Sequence, residues 1–246
     1  MKFKLSEEVK VRYDGVKLFR IEALKYLEEV KKGEKGGWVE KEENLSQKGE
    51  SWIYDDAEVS DNAEIRDDAS VRDTAKIGGD SVVEDQSEVN GKSRISGDSH
   101  IYERAKVCGN SWIFAKASIY GNAVIDEHSS ISGHAKIYGD VRVSGISGVS
   151  GSACIYGNVK ILDGARISGN TKVFDKAIVS KNAQIMGNAI VNGNSEISGI
   201  AIICGNAEIS GNFKLSEGFC FSSKDKKWKV SEVENGEKVL FIKDYR

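Results

Sequence analysis

A β-branched residue returns at every sixth position from Ile53 to Ile209, and Leu215 closes the series, with no insertion and no skip. The walk runs from Ile53, Val59 and Ile65 through Ile101, Ile119 and Ile137 to Ile203, Ile209 and Leu215. It holds twenty-eight positions, twenty-seven of them Ile or Val. A small residue, mostly Ala or Ser, sits two places before each anchor, as in Ala57, Ala63, Ser99, Ala123, Ala183 and Ala207. Val141, Val159, Thr171 and Phe213 depart from that rule. Gly and Asn or Asp follow many anchors, as in Gly109-Asn110, Gly121-Asn122, Gly157-Asn158 and Gly187-Asn188. No helix has a period of six, whereas a strand puts residues two apart on the same face. The small and the branched residue therefore point together into one interior. Gly and Asn both tolerate positive φ and so turn the chain at a corner. Strand and corner alternate, and the chain winds into coils that stack at about 4.8 Å. One hexad cannot bury its Ile alone, so stability comes from stacking.

The pattern Ile-x-Gly-Asn-Ala-x resembles the hexapeptide repeat of left-handed parallel β-helices. In that family three hexads make one triangular coil. The resemblance implies an all-β left-handed parallel β-helix of about nine coils. Residues 51–216 form the helix, residues 1–50 a hairpin and N-terminal cap, and residues 217–246 strands that cap the other end. In the leader, Val9–Tyr13 and Val16–Arg20 alternate around Asp14-Gly15, a hairpin signal. Leu24, Leu27 and Val30 suggest a short helical stripe, and Trp38, Val39 and Leu45 are expected to cover the first coil's open edges. Gly36-Gly37 is no phosphate loop, because the required spacing and following helix are missing. In the tail, Phe219–Phe221, Trp228–Val230 and Lys238–Ile242 read as strands, with Asn235-Gly236 as a turn.

A hydrophobic fraction of 39% is low for a globular domain, but a narrow interior filled by two residues per hexad accepts it. The net charge of −3 points to neither nucleic acid nor membrane, and no basic stripe or apolar span is present. The N-terminus lacks a signal-peptide core. Cys108, Cys154, Cys204 and Cys220 share no metal-ligand spacing, and reduced thiols suit a cytoplasmic protein. No cofactor and no metal site is expected.

Three features are candidate sites. Tyr102, Tyr120, Tyr138, Tyr156 and Phe174 lie one coil apart, each just after an inward anchor, and should form an outward ladder. Stacked rings either brace the solenoid or form an interface. Residues 50–90 carry thirteen acidic and three basic residues, a net of −10, with Asp55, Asp56, Asp61, Asp67, Asp68 and Asp73 at corners. That collar serves solubility or docks a basic partner. The third feature is the set of His100, His128 and His134. The resemblance implies acyltransferases, usually trimers, with a histidine base and sites built by extruded loops. No loop interrupts the hexads, and a base needs an oriented partner, which none of the three histidines is expected to have. If one is catalytic, His134 is the candidate.

The sequence thus suggests a non-enzymatic binding or structural protein. Its partners would be further copies of itself, as a dimer or trimer. The leader resembles that of phage and prophage hexapeptide-repeat proteins, which implies a host protein as a further partner. The alternatives are an acyltransferase using an acyl-thioester donor and a small-molecule or nucleotide sponge with sites between subunits.

Overall fold

Each hexad becomes one two-residue strand and one corner. The computed structural model describes residues 1–222 and 229–230. Among them every regular element is a strand except one short 3-10 turn at Glu42–Asn44. The chain is an all-β parallel solenoid of about ten turns, and it falls into two units, Met1–Gly121 and Asn122–Arg246.

In the first unit, β1 (Phe3–Val11) and β2 (Lys17–Ala23) pair antiparallel, and β3 (Lys35–Val39) adds to β2. The turn between β1 and β2 contains Asp14-Gly15, as the alternation around that dipeptide indicates. β3 then runs parallel to Glu58–Val59, which pairs with Lys76–Ile77 one coil on. A second sheet contains Glu64–Ile65, Val82–Val83, His100–Ile101 and Ser118–Ile119. The third contains Trp52–Ile53, Ser70–Val71, Glu88–Val89 and Lys106–Val107.

In the second unit the pairing is again parallel and in register. Ser130–Ile131 pairs with Gly148–Val149, and that strand with Arg166–Ile167. Lys136–Gly139 pairs with Cys154–Gly157, and Val124–Ile125 with Arg142–Val143. Phe219–Ser222 continues one sheet on Ile202–Gly205, and Lys229–Val230 continues another on Glu208–Ile209. Trp228, the Asn235-Gly236 turn and Lys238–Ile242 lie outside the described residues.

Both inward positions of the hexad are buried: Ile65, Ile101, Ile155 and Ile185 are fully enclosed, and so are Ala63, Ala117 and Ala183. The exchange of Ala for Ser is explained at the corner. The hydroxyls of Ser81, Ser87 and Ser99 each donate to the carbonyl three residues back, at 2.7 Å. A buried hydroxyl is tolerated once it is bonded. Thr171, a departure from the rule, has a buried hydroxyl with no partner among the described residues.

Corners behave more strictly than Gly-Asn suggests. From Ile53 to Ile209 only the second residue after each anchor takes positive φ, for example Gly91 (72°), Gly109 (72°) and Gly187 (78°); after Leu215 it is the third, Gly218. The Asn or Asp that follows does not.

Three expectations for the leader change. Val39 pairs with Val59 and Leu45 bridges to Ile65, twenty residues apart (59 − 39 and 65 − 45) rather than eighteen. Val39 and Leu45 are therefore core residues of a further coil, hidden by a two-residue insertion. Trp38 does not cover the interior. It sits in register with Glu58 on the outer side of the sheet, under Lys10 and Arg20, and donates its Nε1–H to Asp56 at 3.2 Å. Leu24–Val30 is not helical: Leu24 N–H goes to Lys2 O and Leu27 N–H to Val30 O, which spends the donors a helix would need. Gly36 and Gly37 are explained by contact, since a Cβ on either would lie 2.5 Å from Ile53 O or 2.4 Å from Ile53 Cγ2.

Candidate functional site

The acidic collar resolves into structural bonds. Asp55, Asp61, Asp67 and Asp73 all occupy the left-handed corner position. A non-glycine residue there is strained by about 1–2 kcal/mol. Three of these carboxylates accept the backbone N–H of the equivalent corner eighteen residues later: Asp55 from Asp73 at 3.0 Å, Asp61 from Gly79 at 2.8 Å and Asp73 from Gly91 at 2.7 Å. Asp85, Asp163 and Asp175 repeat the bond with Glu103, Lys181 and Gly193. Asp68 accepts from Glu50 N–H. Asp56 binds Arg20 and Trp38, which hold its carboxyl below the usual range, the Trp38 bond most strongly. Most of the predicted docking carboxylates are therefore engaged, and no group of three or more His, Cys, Asp or Glu among the described residues could hold a metal ion.

The first unit also brings together residues that the sequence reading kept apart. His100 Nε2 lies 2.5 Å from Glu84 Oε1, a bond reaching back sixteen residues, two short of a full coil. Glu84 in turn forms an ion pair with Arg66. The imidazole stacks on Tyr102 at 4.3 Å and 28°, and Tyr102 stacks on Tyr120 at 4.7 Å and 11°. Burial, reinforced by Tyr120 and nearby carboxylates, pushes the Tyr102 phenol up to about 12. His100 thus does have an oriented partner, contrary to the expectation for all three histidines. Ser118 occupies its register position one coil on. His134 is exposed, its side chain has no bonding partner among the described residues, and its backbone N–H goes to Gly151 O.

The ladder in the second unit consists of Tyr138, Tyr156 and Phe174, at 5.1 Å and 5.0 Å between centroids and within 7° of parallel. The rings are half-buried because each covers the next. More exposed aromatics lie elsewhere. Trp112 (49% exposed) and Phe114 (39%) flank the inward Ile113 in the first unit, and Arg94 stands 5.3 Å above the Trp112 ring. The signal for them was present: Trp and Phe on either side of one anchor must both face out of the coil. They were missed because they do not recur at coil spacing.

Two clefts in the first unit are charged. One of about 300 Å³ contains Glu28, Glu50, Tyr54, Asp68 and Arg72; there Arg72 lies 3.8 Å over the Tyr54 ring and pairs with Glu29. The other, about 340 Å³, lies beside the β1–β2 turn and includes Arg12, Lys76 and Arg94. Arg12 there is held by Asp14 and Ser60. No known protein family model matches this sequence, and no curated protein resembles it closely enough to be counted a relative.

Proposed function

We propose that this chain is a non-enzymatic binding protein, a β-solenoid whose flat faces associate with a second copy of itself. The observation that carries the reading is the pair Trp112 and Phe114, large aromatics left open on either side of one inward anchor. Aromatics with a cation beside them are the residue types enriched at interface centres. A flat face repeating at strand spacing is complementary to another with the same spacing, and closed symmetric pairs are the common outcome for soluble homo-oligomers. Two rings supply only part of the roughly 1,200–2,000 Å² a stable interface buries, so the rest of the Trp112 column, Arg94 and Lys76, would join it.

The finer resemblance belongs to the same proposal: left-handed winding, a hexapeptide-repeat origin, a phage or prophage source, a cytoplasmic location and a host protein as eventual target. The test is the double change Trp112→Ser and Phe114→Ser, which leaves Ile113 in place. Light scattering should show the wild type as a multiple of 26.9 kDa and the variant as a monomer with unchanged circular dichroism. A wild type that is monomeric at high concentration, or a variant of unchanged mass, refutes the proposal.

A second reading, acyl transfer from a thioester, is favoured by one observation, the His100–Glu84 bond. A carboxylate that fixes an imidazole is how a general base is oriented. Release of thiol with transfer of the acyl group to an added amine or hydroxyl acceptor, abolished by His100→Ala, would establish it in place of the first reading.

A further inference from the structure

The second unit contains a cleft of about 470 Å³ whose walls include no carboxylate. Its size falls within the roughly 300–1,000 Å³ of small-molecule sites. Two columns of one sheet make its floor: Ser130 and Gly148 before the anchors, Ser132, Ser150 and Ser168 after them. Gly148 is why the floor is recessed. A Cβ there would meet nothing within 4 Å, and its φ is ordinary, so the missing side chain is a gap rather than a backbone requirement. Arg166 and Gln184 rise on the next two coils, His128 stands on a corner, and Ile146 (77% exposed) and Met186 supply apolar edges.

Arg166 is the decisive group. Arg12, Arg20, Arg66, Arg72 and Arg142 each pair with a carboxylate. Exposed Arg166, like Arg94 and Arg104, has none within 4.0 Å among the described residues; unlike Arg94, whose cleft includes Asp14 and Asp61, it lines a cleft with no carboxylate. An unneutralised guanidinium beside serine hydroxyls presents a fork of donors with rotatable donors around it. That set matches a tetrahedral dianion better than a planar carboxylate, because hydroxyls on two columns reach oxygens that lie out of the guanidinium plane. The apolar edges suit a carbon skeleton attached to the anion.

We propose that this cleft binds a small phosphate monoester, with Arg166 and the flanking serines on the phosphate. The site lies within one chain and does not depend on self-association. Calorimetric titration of the full chain with glucose 6-phosphate should show saturable binding, with glucose silent and citrate weaker. Arg166→Gln should weaken binding about tenfold or more, the usual loss for a charge-assisted bond. Gly148→Leu should abolish it by filling the floor, and its melting temperature should match or exceed the wild type's, since a strand glycine is destabilising. Arg104→Gln, an exposed arginine of the first unit, should change nothing. The proposal is overturned if the wild type does not bind, if Arg166→Gln or Gly148→Leu binds as the wild type does, if Arg104→Gln weakens binding equally, or if citrate binds more tightly than the phosphate ester.

Discussion

Replacing Ala115 with Gly should stabilise the protein, although it removes atoms and adds none. Ala115 holds φ at 62° at an exposed corner, where a left-handed L-residue costs about 1–2 kcal/mol. Gly97 lies one coil back, so no side chain is placed there to bond the Ala115 amide. Glycine relieves the strain but gains unfolded-state freedom worth about 0.4–1 kcal/mol, leaving a net gain of about 0.5–1 kcal/mol. Asp61 (φ 58°) tests the other half of the argument, because its carboxylate accepts the Gly79 amide at 2.8 Å. Asp61→Ala keeps the strain and loses the bond, a cost of about 1 kcal/mol at an exposed position. Asp61→Gly loses the bond and the strain together and should stay near the wild type. Denaturant unfolding of the three variants should give the order Ala115→Gly, wild type and Asp61→Gly together, then Asp61→Ala. An Ala115→Gly protein less stable than the wild type, or an Asp61→Ala protein equal to Asp61→Gly, refutes the strain-and-acceptor account of the corners.

Other outcomes follow from single residues. Burial lowers the Lys2 ammonium from 10.5 to about 8, and its Nζ–H groups donate to Ser51 O at 2.8 Å and Ser51 Oγ at 3.0 Å. Between pH 8 and 10.5 the unfolded chain holds the proton and the folded chain does not, so this group's contribution to stability rises with pH across that window. Relative to Lys2→Met, the wild type should gain about 3 kcal/mol from neutral pH to pH 10.5, read from melts at each pH; a flat difference would contradict it. Thr171→Val removes the buried hydroxyl without a partner and should stabilise by about 1 kcal/mol, checked by the denaturation midpoint. Gly37→Ala drives a Cβ to within 2.4 Å of Ile53 Cγ2, and should cost about 1–3 kcal/mol and loosen the leader, read as faster amide exchange in β3.

Much of this molecule was legible because its contacts repeat. Ile65, Ile101 and Ile155 are buried as the six-residue walk requires, and Tyr102 stacks on Tyr120 as their spacing requires. Relations that cross columns were not legible. The His100–Glu84 bond needs a side chain before one anchor to reach a side chain after another, and a list of residues eighteen apart does not contain it. The corner aspartates looked like surface charge because the left-handed conformation that gives them a bonding role is a backbone property. Val39 and Leu45 read as a cover over the first coil's edges because a two-residue insertion shifts them out of phase with Val59 and Ile65. Trp112 and Phe114 were passed over because one occurrence leaves no period.

The central claim is that columns eighteen residues apart, and not individual hexads, organise every face of the solenoid. Repeating residues 148–165 once in place adds one full coil; repeating residues 160–165 adds one hexad. Hexads are interchangeable in the core, so both proteins should fold and melt cooperatively. The full coil returns every following residue to its own face. The single hexad turns the following residues by one face and separates Phe174 from Tyr156, which stand 5.0 Å apart in the unaltered chain. Near-ultraviolet circular dichroism reads the stacked rings directly. The repeated coil brings a second Tyr156 into the stack, so the account predicts at least the wild-type aromatic signal for the eighteen-residue insertion and a reduced one for the six-residue insertion. Equal signals from the two, or an eighteen-residue insertion that fails to fold while the six-residue one succeeds, would contradict it.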